Sequence, residues 1–168
     1  MQGRIEKNIV QAFGSETEGA DRSAAFVLKA EQEGYPHLAG LFKAVSDAKS
    51  VHARRFRLLL RGKIGSTLEN LEEALQRELK SVETEYPLMV EEARAGSKAV
   101  KKAFIQSRKT DAEVADLLKE ALEGGKTGDD LVYYVCQICG HIHKDVVPDH
   151  CPVCRAVPGR FNKVGIKA

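Results

Sequence analysis

Along residues 1 to about 125, apolar side chains return every three or four positions, the period of an amphipathic helix. Ile5, Ile9, Ala12, Phe13, Ala20, Ala24 and Val27 share one face of a first helix, and Glu16 shares it with them. That helix is expected to stop near Glu33-Gly34-Tyr35-Pro36, a glycine stop followed by proline. A second run, from about His37 to Leu60, keeps Leu38, Leu41, Phe42, Val45, Lys49, His52 and Phe56 in register, and Arg61-Gly62-Lys63-Ile64-Gly65 closes it. Ser66 or Thr67, with Glu69 close behind, is the N-cap of a third helix running to about Ala95. Pro87 falls inside that pattern and predicts a local kink. After Gly96-Ser97, a fourth helix runs from about Lys98 to Leu122 and ends in the short linker Gly124-Gly125-Lys126-Thr127-Gly128. Four segments of roughly 20 to 30 residues with short connections predict an antiparallel four-helix bundle, expected over residues 1–127.

The pattern changes beyond residue 130. Val132-Tyr133-Tyr134-Val135 is β-prone, and glycine and proline become denser. Residues 131–168 are expected to form a separate module too small to hold itself together by apolar burial.

The cysteines say what holds it. All four of the chain's cysteines lie in this tail, as Cys136-Gln137-Ile138-Cys139, eleven residues, then Cys151-Pro152-Val153-Cys154. Two residues between paired cysteines let both thiolates reach one ion, and two such knuckles close a tetrahedral site. Four-sulfur coordination suits zinc or iron equally, so spacing leaves a structural zinc and a redox iron both open. With the shell full, His141, His143 and His150 are expected to be surface histidines.

Charge and composition exclude other classes. The 168 residues carry 26 basic and 24 acidic side chains, a formal charge of +2, which argues against nucleic acid as a partner. Arg54-Arg55-Phe56-Arg57 and Lys101-Lys102 read as solvated helix faces, without the aromatic interleaving that nucleic-acid binding needs. Hydrophobic content of 43% and charged content of 30% are those of a folded soluble protein. No stretch approaches the ~20 consecutive apolar residues of a membrane helix. The polar opening Met1-Gln2-Gly3-Arg4-Ile5-Glu6-Lys7 shows no secretory core, so a cytoplasmic protein without membrane partners is expected.

The tail's flanking residues go further. Tyr134-Val135-Cys136-x-x-Cys139-Gly140, Pro148, Cys151-Pro152-x-Cys154 and Phe161 resemble the rubredoxin-type iron module, with Arg155 where many rubredoxins have glycine. A helical bundle followed by such a tail resembles rubrerythrin. Glu6-Lys7-Asn8-Ile9, Ala12-Phe13, Ala30-Glu31-Gln32-Glu33-Gly34, Leu41-Phe42, His52-Ala53, Glu69-Asn70-Leu71 and Tyr86-Pro87 all look like segments of that family. The resemblance implies a ferritin-like bundle, a homodimer, one iron in the Cys₄ site and a di-iron carboxylate site in the helices that reduces peroxide.

The di-iron ligands are only partly present. The family pattern asks for a glutamate on the first helix, Glu-x-x-His on the second, Glu-x-x-Glu on the third and Glu-x-x-His on the fourth. Glu16, His52, Glu78 and Asp111 keep a ligand type, whereas Lys49, Ser81 and Val114 do not. The fourth-helix register is open by one residue, which would exchange Glu113 for Val114. Neither register supplies a histidine, because none occurs between His52 and His141. Ser23 also stands where the family often has tyrosine. Lys49 falls where the family places a metal-bridging carboxylate. Its ammonium is expected to replace the metal charge and pair with Glu16, Glu78 and Asp111, so a di-iron centre is not expected. Single surface acids and a hydrogen-bonded core His52 are the plainer alternatives.

Three functions follow. The first is a one-electron carrier with iron in the tail and an unknown redox partner protein. The second is a peroxide reductase with a remodelled helical site. The third is a zinc-stapled interaction module.

Overall fold

The computed structural model describes residues 2–60, 64–124 and 131–164. The Arg61-Gly62-Lys63 part of the second connection and the expected linker from Gly125 onward lie outside the described residues. The described elements are four helices followed by a small antiparallel sheet, the expected class and order. The chain divides into two compact units, Met1–Gly65 and Ser66–Ala168.

The first unit is a helical hairpin of α1 (Gln2–Gln32) and α2 (Pro36–Leu59). Gly34 makes the turn at φ +78°. The Gly34 amide donates to the Glu31 carbonyl at 3.1 Å and the Tyr35 amide to the Ala30 carbonyl at 2.8 Å, a Schellman stop. Pro36 then opens α2, where its missing N–H costs nothing. Small residues let the two helices approach closely. Ala20, Ala30, Ala39, Ala53, Ser23 and Ser46 are buried, and the Ser46 hydroxyl donates across to the Ala20 carbonyl at 2.9 Å. Phe26 meets Phe42 edge-on at 5.4 Å, and the Arg57 guanidinium lies over the Phe13 ring.

The second unit opens with α3 (Thr67–Lys80), whose N-terminus carries a full capping box between Ser66 and Glu69. The third helix does not continue as plain α-helix. A π-helical turn over Ser81–Glu85 precedes α4 (Tyr86–Glu92), and a short 3₁₀ turn, Ala93–Ala95, ends it. The irregularity expected at Pro87 therefore falls in the turn before it. The Tyr86 amide reaches back five residues to the Ser81 carbonyl. Pro87 has no N–H to offer the next carbonyl, that of Val82, and the Arg108 Nε supplies the missing donor at 3.0 Å. Arg108 belongs to α5 (Lys98–Leu122), which packs along α3 and α4.

The tail of this unit is a three-stranded antiparallel sheet in the order β2-β1-β3, with β1 at Tyr133–Cys136, β2 at Ile142–Lys144 and β3 at Phe161–Val164. Cys136 stands opposite Phe161 in the register. The sheet is too small to enclose a core, and its most buried side chains are Cys136 and Cys151.

Candidate metal centre

Two copies of one backbone device build the site. In the first, the Cys136 amide donates to the His141 carbonyl at 2.9 Å and the Gly140 amide donates back to the Cys136 carbonyl at 2.9 Å. In the second, the Cys151 amide donates to the Ala156 carbonyl at 2.8 Å and the Arg155 amide to the Cys151 carbonyl at 2.9 Å. Both loops turn at the residue after the second cysteine, with φ +81° at Gly140 and +66° at Arg155. Glycine takes that conformation freely, whereas arginine there carries a cost of about 1 kcal/mol.

The loops bring four sulfurs together. All four lie within 4.8 Å of one another, with Cys136 and Cys154 3.6 Å apart and Cys139 and Cys151 3.5 Å apart. A disulfide would need about 2.0 Å, whereas sulfurs bound about 2.3 Å from one tetrahedral ion stand about 3.8 Å apart. The spacing is that of a metal site.

The electrostatics agree. Burial pushes the Cys139 and Cys154 thiols up. Cys136 is buried too, but the amides of Ile138 and Cys139 and the neighbouring thiols outweigh that burial and hold it below its ordinary value. Clustered thiols of this kind become thiolates together only with a cation among them.

A histidine ties the centre to the helices of its own unit. His141 is buried, its Nδ1 is hydrogen-bonded to the Glu113 carboxylate of α5, and Phe161 stands edge-on to its ring. Lys144 on β2 pairs with Glu120, two turns further along the same face of α5. The expectation of a surface residue fails for His141, because the first knuckle aims its side chain inward at α5. His143 is half-buried and His150 exposed.

Two further clusters hold the helical candidates, one in each unit. In the first unit the Glu16 carboxylate meets the Lys49 ammonium at 3.3 Å and the His52 Nδ1 at 3.5 Å. The Lys49 hydrogen bond leads in holding the Glu16 carboxyl below its ordinary range, and His52 adds to it. Gly19 makes room for this: a Cβ there would lie 2.8 Å from Lys49 Cδ and 3.0 Å from Cε. A cavity of about 270 Å³ beside the cluster is lined by Glu16, His52, Arg55, Phe56 and Leu59.

In the second unit Glu78, Tyr86 and Asp111 stand together. Burial raises the Glu78 carboxyl, and the charge of Asp111 raises it further against the pull of Arg77. Burial also raises Asp111, although Tyr86 and Thr110 donate hydrogen bonds to it. Ser81, a position without a ligand, spends its hydroxyl on Glu85 at 3.3 Å.

Residues 7–122 match the family model described as Rubrerythrin, and residues 134–162 match that described as Rubrerythrin, rubredoxin-like domain. The chain belongs to the rubrerythrin family. It is 30% identical over 170 residues to the rubrerythrin of Porphyromonas gingivalis, covering 90% of this chain and 85% of that one. It is 26% identical over 167 residues to rubrerythrin-2 of Clostridium acetobutylicum, covering 89% and 91%. Nigerythrin of Nitratidesulfovibrio vulgaris is 26% identical over 167 residues, with 90% and 82% covered. Solved structures of nigerythrin in mixed-valence and fully reduced, all-ferrous states share the fold, each at TM-score 0.56 and 23% identity, covering 95% of this chain and 86% of the other.

Within the rubrerythrin frame, the four cysteines form one rubredoxin-like metal site. Glu16, Lys49 and His52 come together in the first unit, and Glu78 and Asp111 in the second. Sequence reasoning missed Gly19 and the pairing of His141 with Glu113. A glycine in the interior of a strong helix pattern, away from any turn signal, was the available clue to the first.

Proposed function

We propose that this rubrerythrin is a one-electron carrier that uses a single iron at Cys136, Cys139, Cys151 and Cys154 and has lost the di-iron centre of its helices. The observation that carries the reading is the Lys49 ammonium on Glu16, 3.3 Å away in space that Gly19 leaves open. An ammonium beside this carboxylate repels a dication and supplies the charge a metal would otherwise bring.

Iron in four thiolates supplies a ferric–ferrous couple that takes up and returns one electron without making or breaking a bond. The amides of Ile138 and Cys139 aim their dipoles at the Cys136 sulfur and favour its negative charge. The helices serve as scaffold and as the interface of a homodimer. Leu28, Leu41, Leu58 and Leu59, exposed on the first unit, support such a use. The cytoplasm suits four cysteines that form no disulfide.

A peroxide reductase is the second reading, favoured by the retained pair of Glu16 and His52 at 3.5 Å. Elemental analysis of anaerobically purified protein, with a visible spectrum, separates the readings. One iron per chain, with a ferric–thiolate colour that bleaches on reduction, is expected. About three irons per chain would restore the peroxidase and overturn the role given to Lys49. One colourless zinc, persisting in iron-supplemented protein, would leave the tail a structural staple.

A further inference from the structure

Lys7 and Lys163 apart, which form no ion pair among the described residues, the described lysines divide into two sets. Lys29, Lys43, Lys49, Lys80, Lys119 and Lys144 each lie on a carboxylate. Lys98, Lys101, Lys102 and Lys109 form no ion pair among the described residues. All four of the latter line one groove of about 330 Å³ in the second unit, together with Ile105 of α5 and Val153 of the tail.

Two observations separate this groove from an ordinary solvated face. Helix stability favours acids in the first turn of a helix, where the macrodipole is positive. The first half of α5 reverses that preference: residues 98–110 hold Lys98, Lys101, Lys102, Arg108 and Lys109 and no acid, and the first turn has none. The opposite wall is Val153, which sits between Cys151 and Cys154 in the second knuckle. The unpaired positive charge therefore surrounds a covalently short path to two of the four sulfurs.

We propose that this groove is the docking surface for an acidic one-electron carrier protein of the flavodoxin or two-iron ferredoxin class. Its carboxylates meet the four ammonium groups, and its apolar rim meets Ile105 and Val153. The inference rests on the reading of the Cys₄ site as a redox centre. The reduced carrier gives up one electron, the ferric site becomes ferrous, and no proton or covalent bond moves. Long-range attraction of this sort speeds encounter and weakens steeply with salt.

The test uses the full-length protein and an acidic plant-type two-iron ferredoxin as the probe. In stopped flow, reduced ferredoxin should bleach the ferric–thiolate band with a rate that falls about tenfold or more as salt rises from ~20 to ~200 mM. Lys101→Glu with Lys102→Glu should slow that rate at least tenfold and flatten its salt dependence. Reduction by the methyl viologen radical cation should not slow. Lys29→Glu with Lys43→Glu carries the same change in net charge at residues that do not line the groove and should leave the rate unchanged. Equal slowing by both pairs, or by neither, would overturn the proposal.

A second arm does not depend on iron. Calorimetric titration of zinc-loaded protein with oxidised ferredoxin should show binding that the Lys101/Lys102 variant loses. Binding by a protein that purifies with zinc alone would uphold the surface and overturn the redox reading, so the two failures are distinguishable. A variant that sediments at half the wild-type mass would assign the groove to a second copy of this chain and overturn the proposal.

Discussion

This chain gathers negative charge in two ways, with cysteines on short loops and with carboxylates on helices. The thiolate centre is assembled by two short loops of one design, each closed by the same pair of backbone hydrogen bonds. The carboxylate positions rest on side chains set on helices far apart in the sequence, Glu16 with Lys49 in one unit and Glu78 with Asp111 in the other. A site that local backbone geometry closes keeps its donors as long as its few loop residues stay. A carboxylate on a helix depends instead on what the facing helix presents, and an ammonium can stand beside it without disturbing the helix that carries it.

The largest test of that contrast is removal of a thiolate. Cys136→Ser or Cys151→Ser should abolish stoichiometric metal binding and expose the amides of β1 to β3 to exchange, because metal binding supplies most of the stability of so small a module. The helices should keep their helical circular dichroism. Loss of the helical signal as well would show that the two regions are not independent.

Next in size is the tie between tail and α5. Glu113→Ala leaves the buried His141 without its carboxylate, which should cost about 1–2 kcal/mol in thermal or denaturant unfolding. His141→Phe in that background should recover part of the loss, since the Nδ1 no longer needs a partner. No recovery would mean that Glu113 acts through something other than His141.

A smaller effect compares the two knuckles directly. Arg155→Gly should stabilise the metal-bound tail by up to about 1 kcal/mol, by relieving the left-handed arginine at φ +66°. Gly140→Ala, the mirror substitution at φ +81°, should destabilise it by a similar amount.

The smallest effects are in pH dependence, and they should carry opposite signs. Glu16 titrates below its unfolded value, so its contribution is complete above the ordinary glutamate range and is lost as pH falls through the lowered value. Glu78 and Asp111 titrate above theirs, so they destabilise the ionised protein, and stability is regained as pH falls through the raised values. Carboxyl titrations followed by NMR should show both directions. Lys49→Met should return Glu16 to the ordinary range. Gly19→Ala should do much the same, by displacing the Lys49 stem, while changing overall stability little, because the alanine favours the helix by ~1 kcal/mol. An unmoved Glu16 in both variants would remove Lys49 from its account.

The legible parts of the fold were those decided by near neighbours. Gly34 before Pro36 and the capping pair Ser66 and Glu69 mark their helix ends in the sequence, and the structure uses both. The spacing of Cys136, Cys139, Cys151 and Cys154 likewise marks one four-sulfur site, and the structure gathers all four sulfurs there. What could not be read depends on a partner far along the chain. His141 resembles any polar loop residue until α5 brings Glu113 to it. Gly19 is a weak helix residue until Lys49, thirty positions later, fills its missing Cβ. Pro87 gives notice of an irregularity, but not that a wider turn upstream would absorb it.

That wider turn has a consequence for how the chain folds. A helix normally satisfies its own carbonyls as it grows, so it forms before its neighbours are settled. The Val82 carbonyl takes a donor from Arg108, 26 residues further along the chain. The passage from α3 into α4 is thus completed by a residue made later in synthesis and folded elsewhere. Arg108→Met should take that donor away and lower stability in denaturant unfolding by up to about 1 kcal/mol. Here a proline in mid-helix makes the third helix depend on the last one for a hydrogen bond it cannot make within itself.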